Sequence, residues 1–391
     1  MKQLAVNSSA NTPIAPSLIL GRWAVAAIFF FNGFTIANWV VRIPDVSQAL
    51  NLSTGTLGLV LLASAVGALV SMPMVGRLCV QFGSRRLTLL CSLGFAISTI
   101  FLALSPNVGL LVFTLFIWGA SNAGLDVAMN TQGTTIEQGF ERPILSSFHA
   151  LWSVGSLLGA AIGGVLASFG LAAGLHLVLI GVLSLIAFFV LSRYLITDPQ
   201  PMETQSQPKL KLSSGLMALG AIAFCALLGE GAIADWGALY LKNSLGADAG
   251  LAAAGFVAFQ FCMAIFRFTG DQLRLRLGDA RVLLISGLVA TFGMVLAITP
   301  NLVWTTIIGF GFVGAGFAVI FPAALGLVSK LEQGSSGPAI AWVSSIAYSG
   351  FLVGPPFIGL LSEVVSLRFG LLAVLLAGVT IAVLSKSVKP I

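Results

Sequence analysis

Charge is what this 391-residue chain has least of. Asp, Glu, Lys and Arg make up 8% of it and hydrophobic residues 58%, where a soluble domain is roughly 25% charged. A water-soluble globular protein is therefore excluded. Histidine is nearly absent, with His149 and His176 alone, so no metal site is expected. The four cysteines, Cys79, Cys91, Cys225 and Cys262, lie in or beside apolar segments without a CxxC pair, which excludes a disulfide scaffold and leaves them to packing. No Gly-x-x-x-x-Gly-Lys-Ser/Thr loop occurs, which argues against ATP-driven work. With no His/Cys cluster and no nucleophile elbow, neither an enzyme nor a bound cofactor is expected.

What remains is one long apolar run after another. At roughly 20 residues per membrane crossing, hydropathy divides the chain into twelve spans, the first near 21–43 and the last near 367–385. The connecting loops are short except for a polar stretch from Tyr194 to Ser214, rich in Pro, Gln, Ser and Lys. The expected organisation is a six-span unit over 1–193, a linker over 194–214 and a second six-span unit over 215–391. With the N-terminus in the cytoplasm, only Arg42, Lys242 and Arg368 of the 19 basic residues fall on the outer side, leaving 16 within. That bias places both termini in the cytoplasm of a cell (inner) membrane. It also accounts for the formal charge of +6 without nucleic acid; the expected surroundings are a lipid bilayer, and a monomer is expected.

The two halves echo each other. Ile36-Ala37-Asn38-Trp39 matches Ile233-Ala234-Asp235-Trp236 at an offset of 197 residues. Gly83 and Gly278, Arg86 and Arg281, Gly155 and Gly350, Gly159 and Gly354, and Gly164 and Gly359 are each separated by 195. A duplicated membrane protein with polar groups at corresponding places is the mark of a secondary transporter.

The loop after the second span reads Gly76-Arg77-Leu78-Cys79-Val80-Gln81-Phe82-Gly83-Ser84-Arg85-Arg86. It resembles the G-x-L-x-D-x-x-G-R-R/K signature of the major facilitator superfamily, with Val80 where the family has aspartate. The stretch from Gly270 and Asp271 to Arg281 is its counterpart in the second half. Gly124-Leu125-Asp126-Val127-Ala128-Met129-Asn130 is similar to the G-L-D/E-x-A-x-N element of bacterial fucose-permease-type members. The resemblance implies an all-α membrane protein of twelve transmembrane helices in two pseudo-symmetric six-helix bundles. It also implies a cavity lined by the first, fourth, seventh and tenth spans. The signature loops then supply the gating set of Arg77, Gly83, Arg85, Arg86, Arg267, Asp271 and Arg281, with Asp271 and Arg267 as the second-half latch.

Acids inside spans are costly and read as functional, here Asp126, Glu230 and Asp235. By resemblance Asp126 is a candidate for proton coupling. Counted at about 1.5 Å per residue, it lies ~27 Å from Val108, near the cytoplasmic end, within reach of Arg22, Arg142 or His149 for a structural pairing instead. Glu230 lies ~24 Å into the seventh span, with no basic residue evident at its depth, which favours a proton carrier. Asn32, Asn38, Trp39, Asn122, Asp235 and Trp236 make up the expected substrate shell, with amides to donate and accept and indoles as flat surfaces. The tenth-span phenylalanines Phe310, Phe312, Phe317 and Phe321 are expected to make one cavity wall apolar. The expected function is proton-coupled uptake of a small polar, sugar-like solute by alternating access. A proton-coupled exporter of an amphipathic metabolite or drug is one alternative, and a membrane receptor or assembly factor that transports nothing is another.

Overall fold

A computed structural model describes residues 15–140, 144–197, 212–331 and 336–387. Twelve of its helices are long and apolar enough to cross a membrane. In chain order the first half holds α1 (Pro16–Val40), the short α2 (Ile43–Ala49), α3 (Thr54–Phe82), α4 (Ser84–Leu102), α5 (Val108–Phe140), α6 (Leu145–Ser168) and α7 (Ala173–Leu191). The second holds α8 (Ser214–Leu239), α9 (Ala249–Leu277), α10 (Asp279–Ile298), α11 (Val303–Phe317), α12 (Ile320–Leu331), α13 (Ser336–Val364), the short α14 (Leu367–Gly370) and α15 (Leu372–Leu384). The expected tenth span over 302–328 is thus two helices, broken between Phe317 and Ile320. Most of the expected linker lies outside the described residues.

The repeat has a local cause at each helix end. Ser53 accepts the Thr56 N–H at the start of α3, and Asp248, 195 residues on, accepts the Leu251 N–H at the start of α9. Both are side-chain caps for donors that the first turn leaves unpaired. The same helices end at Gly83 and Gly278, with φ of 85° and 80°. That region strains any residue with a Cβ, so the paired glycines are required by the turn. At α6 the Glu137 carboxylate takes the capping role, accepting from the Ile144 and Leu145 N–H groups.

Glycine also sets the helix spacing. Gly33 on α1 faces the Trp152 carbonyl on α6, while Gly155 on α6 faces the Phe30 carbonyl on α1. A methyl at either place collides with the opposing backbone, the close approach small residues permit between membrane helices. Gly350 makes the equivalent contact with Phe224 and Leu228 of α8. Further along, Gly164 meets Ala253, and Gly359 meets Thr54 and Gly58, so these helices also touch the opposite half. Gly155→Val is expected to destabilise the protein by about 1–3 kcal/mol through overpacking. Gly76→Ala, whose methyl meets open space, is expected to be neutral or slightly stabilising. Denaturant unfolding in detergent separates them; equal midpoints for the two variants contradict the packing argument.

Candidate functional site

Two ion-pair clusters join the halves, one at an end of the bundle and one near its middle. At the end, Arg42 follows α1 and Asp45 lies on α2, one turn apart. Arg42 is 2% exposed. It donates to His176 Nδ1 at 2.7 Å, to Asp45 Oδ2 at 2.8 Å and to the Leu171 carbonyl at 2.8 Å. Because Nδ1 accepts from arginine, the ring proton sits on Nε2, which lies 2.8 Å from Asn38 Oδ1 and donates to it. The other Asp45 oxygen accepts from Lys242 Nζ of the second half at 2.7 Å. Asp45 and Lys242 are 197 residues apart, the offset of the Asn38 and Asp235 echo. Equivalent positions of two repeats meet where they lie close to the axis relating them, and this pair closes that axis. Burial pushes the Asp45 carboxyl up, but the hydrogen bonds and charges of Lys242 and Arg42 outweigh it and hold the pKa below 3.8.

Near the middle, α9 brings Arg267 to Glu230 of α8, with Nη2 at 3.3 and 3.4 Å from the two carboxylate oxygens. Nη1 reaches Ser153 Oγ of α6, in the other half, at 3.5 Å. Two turns back along α9, Gln260 donates to Ser156, also across the halves. Glu230 therefore has a basic partner, contrary to the expectation from depth. The physical reason is length: α9 runs 29 residues and continues to Leu277, so Arg267 lies well inside the helix and level with Glu230 of α8. Arg267, expected at a latch with Asp271, pairs with Glu230; the Asp271 side chain is outside the described residues.

Asp126 faces the same region from the first half. Asn130 Nδ2 donates to its Oδ1 at 3.1 Å, and Asn130 Oδ1 is 3.2 Å from His149 Nε2. Of the basic residues expected near it, Arg22 packs over the Phe140 ring instead, and Arg142 lies outside the described residues. On α13, Tyr348 interacts electrostatically with both Asp126 and Glu230. Two acids 104 residues apart in sequence, one from each half, thus lie within electrostatic range of one phenol. This tyrosine was not singled out in the sequence. The signal available was its place, 195 residues after Ser153, in a chain with three tyrosines.

The expected substrate shell divides. Asn32 donates to Asn122 Oδ1 at 2.8 Å and accepts from Trp152 Nε1 at 2.8 Å, which ties α1, α5 and α6 together and buries Asn32. Asn122 stays half-buried beside Asp126 on α5. Asn38 is enclosed with His176, and Trp39 packs against Trp118 with ring centroids 6.5 Å apart. Trp236 is fully buried near Gly359. Asp235 is half-buried, with no ion pair among the described residues. The tenth-span phenylalanines depart from the apolar wall. Phe310 and Phe317 are buried against Gly237, Gly255 and Gly229, and Phe312 points outward against Phe292. Only Phe321 reaches the cluster, meeting Tyr348 edge-on at 6.3 Å. Glycines opposite the first two leave room that a ring fills better than water does.

The signature loops lie at the other end of these helices. Arg77, Arg85, Arg86 and Arg281 are exposed and make no ion pair with a described residue; Arg85 donates to the Arg193 carbonyl at 3.2 Å, within its own half. Gly83 ends α3, and the following Ser84 is held by Gln132, which also binds Ile196.

Comparison with known proteins agrees with this architecture. A family model described as Major Facilitator Superfamily matches residues 24–219 and again 219–390. A Sinorhizobium fredii protein described as an uncharacterized transporter is 34% identical over 376 residues, covering 95% of this chain and 99% of its own. Among solved structures, a bacterial homolog of the lysosomal transporter Spinster, inward-facing, matches with a TM-score of 0.73 at 15% identity, covering 95% of this chain and 97% of that one. The transporter FucP in its outward conformation matches at 0.66 and 17% identity, covering 96% and 100%. Twelve apolar helices make this a multi-pass membrane protein, and its relatives make it a secondary transporter. Since the one family model accounts for both halves of the chain, the protein belongs to the Major Facilitator Superfamily.

Proposed function

We propose that the protein carries a small polar solute through the cleft between its halves together with protons, with Asp126 and Glu230 as the carboxylates that bind them. The observation that carries this reading is that the Glu230–Arg267 pair reaches Ser153 of the other half, one turn along α6 from His149, which faces Asn130 beside Asp126. Halves that rock against each other necessarily change that environment, and the proton affinity of a carboxylate follows its environment. Asn122, Asn130 and His149 beside Asp126 supply the donors and acceptors a polar solute needs. Tyr348 adds a hydroxyl, and the tenth-span rings that would favour an amphipathic cargo are largely engaged in packing. The Asp45–Lys242 end is assigned to the outer face and the arginine loops to the cytoplasm, with both termini there and the chain in the inner membrane. The units 1–193 and 215–391 move as the two rocking bodies, joined by 194–214.

Thermal unfolding of the detergent-purified protein tests this at two pH values, against sugars, amino acids, organic acids and lipophilic cations. A ligand that binds only the folded state at 100 times its Kd adds about 2.7 kcal/mol. A polar hit whose shift changes with pH is the expected result. Stabilisation by lipophilic cations alone contradicts it and favours an exporter.

A further inference from the structure

Outside the cleft, the second half carries an open groove of about 480 Å³ between α9, α10 and α11. Phe266, Leu277, Ile285, Val289, Ile308 and Phe312 line it, and Ser286 is the one hydroxyl in its walls. Phe266, Ile285, Ile308 and Phe312 are each 40% or more exposed, on a protein whose outer surface faces lipid tails. One end of the groove lies at the turn from α9 to α10, with Leu273, Leu277 and Val282 in its wall. There Arg276 lies at the edge of the lining face of α9, about 60° around the helix from Leu273, and Arg281 sits one turn before Ile285 on α10. Both arginines are exposed and have no ion pair among the described residues. The described carboxylate of this turn, Asp279, is bound by Arg274 at 2.7 Å, so the turn keeps a net positive charge.

An apolar trough running along a membrane helix pair and ending in two arginines matches one kind of molecule. We propose that this groove binds an anionic phospholipid, an acyl chain lying along Phe266, Ile308 and Phe312 and the phosphate meeting Arg276 and Arg281. Basic pockets between membrane helices are recognised places for anionic headgroups. Guanidinium forks also suit phosphate oxygens better than lysine does. The groove's inner wall includes Val319, in the break between α11 and α12, and Gly311. A chain seated there braces the broken tenth span against α9, where Gly270 already faces Val319. The occupant therefore favours the arrangement of the second half seen here.

Native mass spectrometry of the delipidated full-length protein, titrated with phosphatidylglycerol or phosphatidylethanolamine of identical chains, provides the test. Phosphatidylglycerol is expected to be retained on the order of tenfold more tightly. Arg276→Gln combined with Arg281→Gln removes that preference without removing chain binding. Ile308→Trp, at an exposed position that folding does not depend on, fills the trough and lowers retention of both lipids. Equal retention of the two lipids by the unaltered protein overturns the proposal. So does a preference that survives loss of both arginines, or equal stabilisation by free glycerol phosphate, which has the headgroup chemistry and no chain. Thermal unfolding of each variant in lipid-free detergent confirms that it is folded and keeps a loss of binding distinct from misfolding.

Discussion

An Arg42→Ala variant loses about 3–5 kcal/mol of folding stability, the range measured when one partner of a buried ion pair is removed. The guanidinium is 2% exposed and fills three directions at once. Without it, His176 Nδ1 and the Leu171 carbonyl lose their donor in the interior, and Asp45 keeps only Lys242. Each unsatisfied buried acceptor costs about 1–3 kcal/mol by itself. Arg42→Lys falls between, because an ammonium is a point donor and cannot span the imidazole, carboxylate and carbonyl that the planar fork reaches. Denaturant unfolding in detergent measures all three proteins; an alanine variant within 1 kcal/mol of the parent rules the network out as a stabilising element. Asp45 adds a pH signature. Its folded pKa lies below the unfolded value near 3.8, so its contribution is fully present above that value and is lost as pH falls through the folded one. The gap between parent and alanine variant narrows in acid.

That network shows what a sequence can and cannot reveal. Arg42 and Lys242 are identifiable as loop charges from the hydropathy pattern, and the glycine pair Gly83 and Gly278 from a constant offset, because each is fixed by local rules. The capping pair Ser53 and Asp248 obeys the same offset and was equally readable. Asp45 was not read as the bridge, although it stands three residues after Arg42, because nothing local says that two repeats touch at their axis. Glu230 and Arg267 failed for a different reason. Depth was counted over one membrane thickness, whereas α9 continues to Leu277 and so carries Arg267 well inside its end, level with Glu230. Asn38 and Asp235 echo each other in sequence, yet the structure gives Asn38 an imidazole partner and Asp235 no ion pair among the described residues. The echo records common descent of the fold, while the partners depend on α7, where His176 has no counterpart in the sequence of the second half.

Asp126→Asn collapses proton-driven accumulation while leaving the protein folded, and Glu230→Gln acts differently. For one proton per solute, a gradient of one pH unit supports about a tenfold concentration ratio, since ~1.4 kcal/mol corresponds to a factor of ten. Proteoliposomes loaded with a solute found by the thermal screen are expected to show that ratio in the parent and a ratio near unity in Asp126→Asn. The distinction comes from the partners. Asp126 is held by a neutral amide, so a proton adds to it without breaking an ion pair. Glu230 is held by Arg267 at 3.3 Å, so a proton there frees a cation that also reaches Ser153 across the halves. With both acids and Arg267 charged, the formal charge of the three is −1; one proton brings it to zero. Asp126→Asn makes that neutral state permanent, so solute binding remains but no longer varies with pH. Glu230→Gln releases Arg267 from its fixed partner, so solute affinity itself changes, most for solutes carrying an anionic group. An Asp126→Asn protein that still accumulates solute tenfold removes Asp126 from the coupling step. If Glu230→Gln then abolishes the pH dependence of binding, the proton is carried on the ion-paired side of Tyr348, and opening the Arg267 contact becomes the event that links the proton to the movement of the halves.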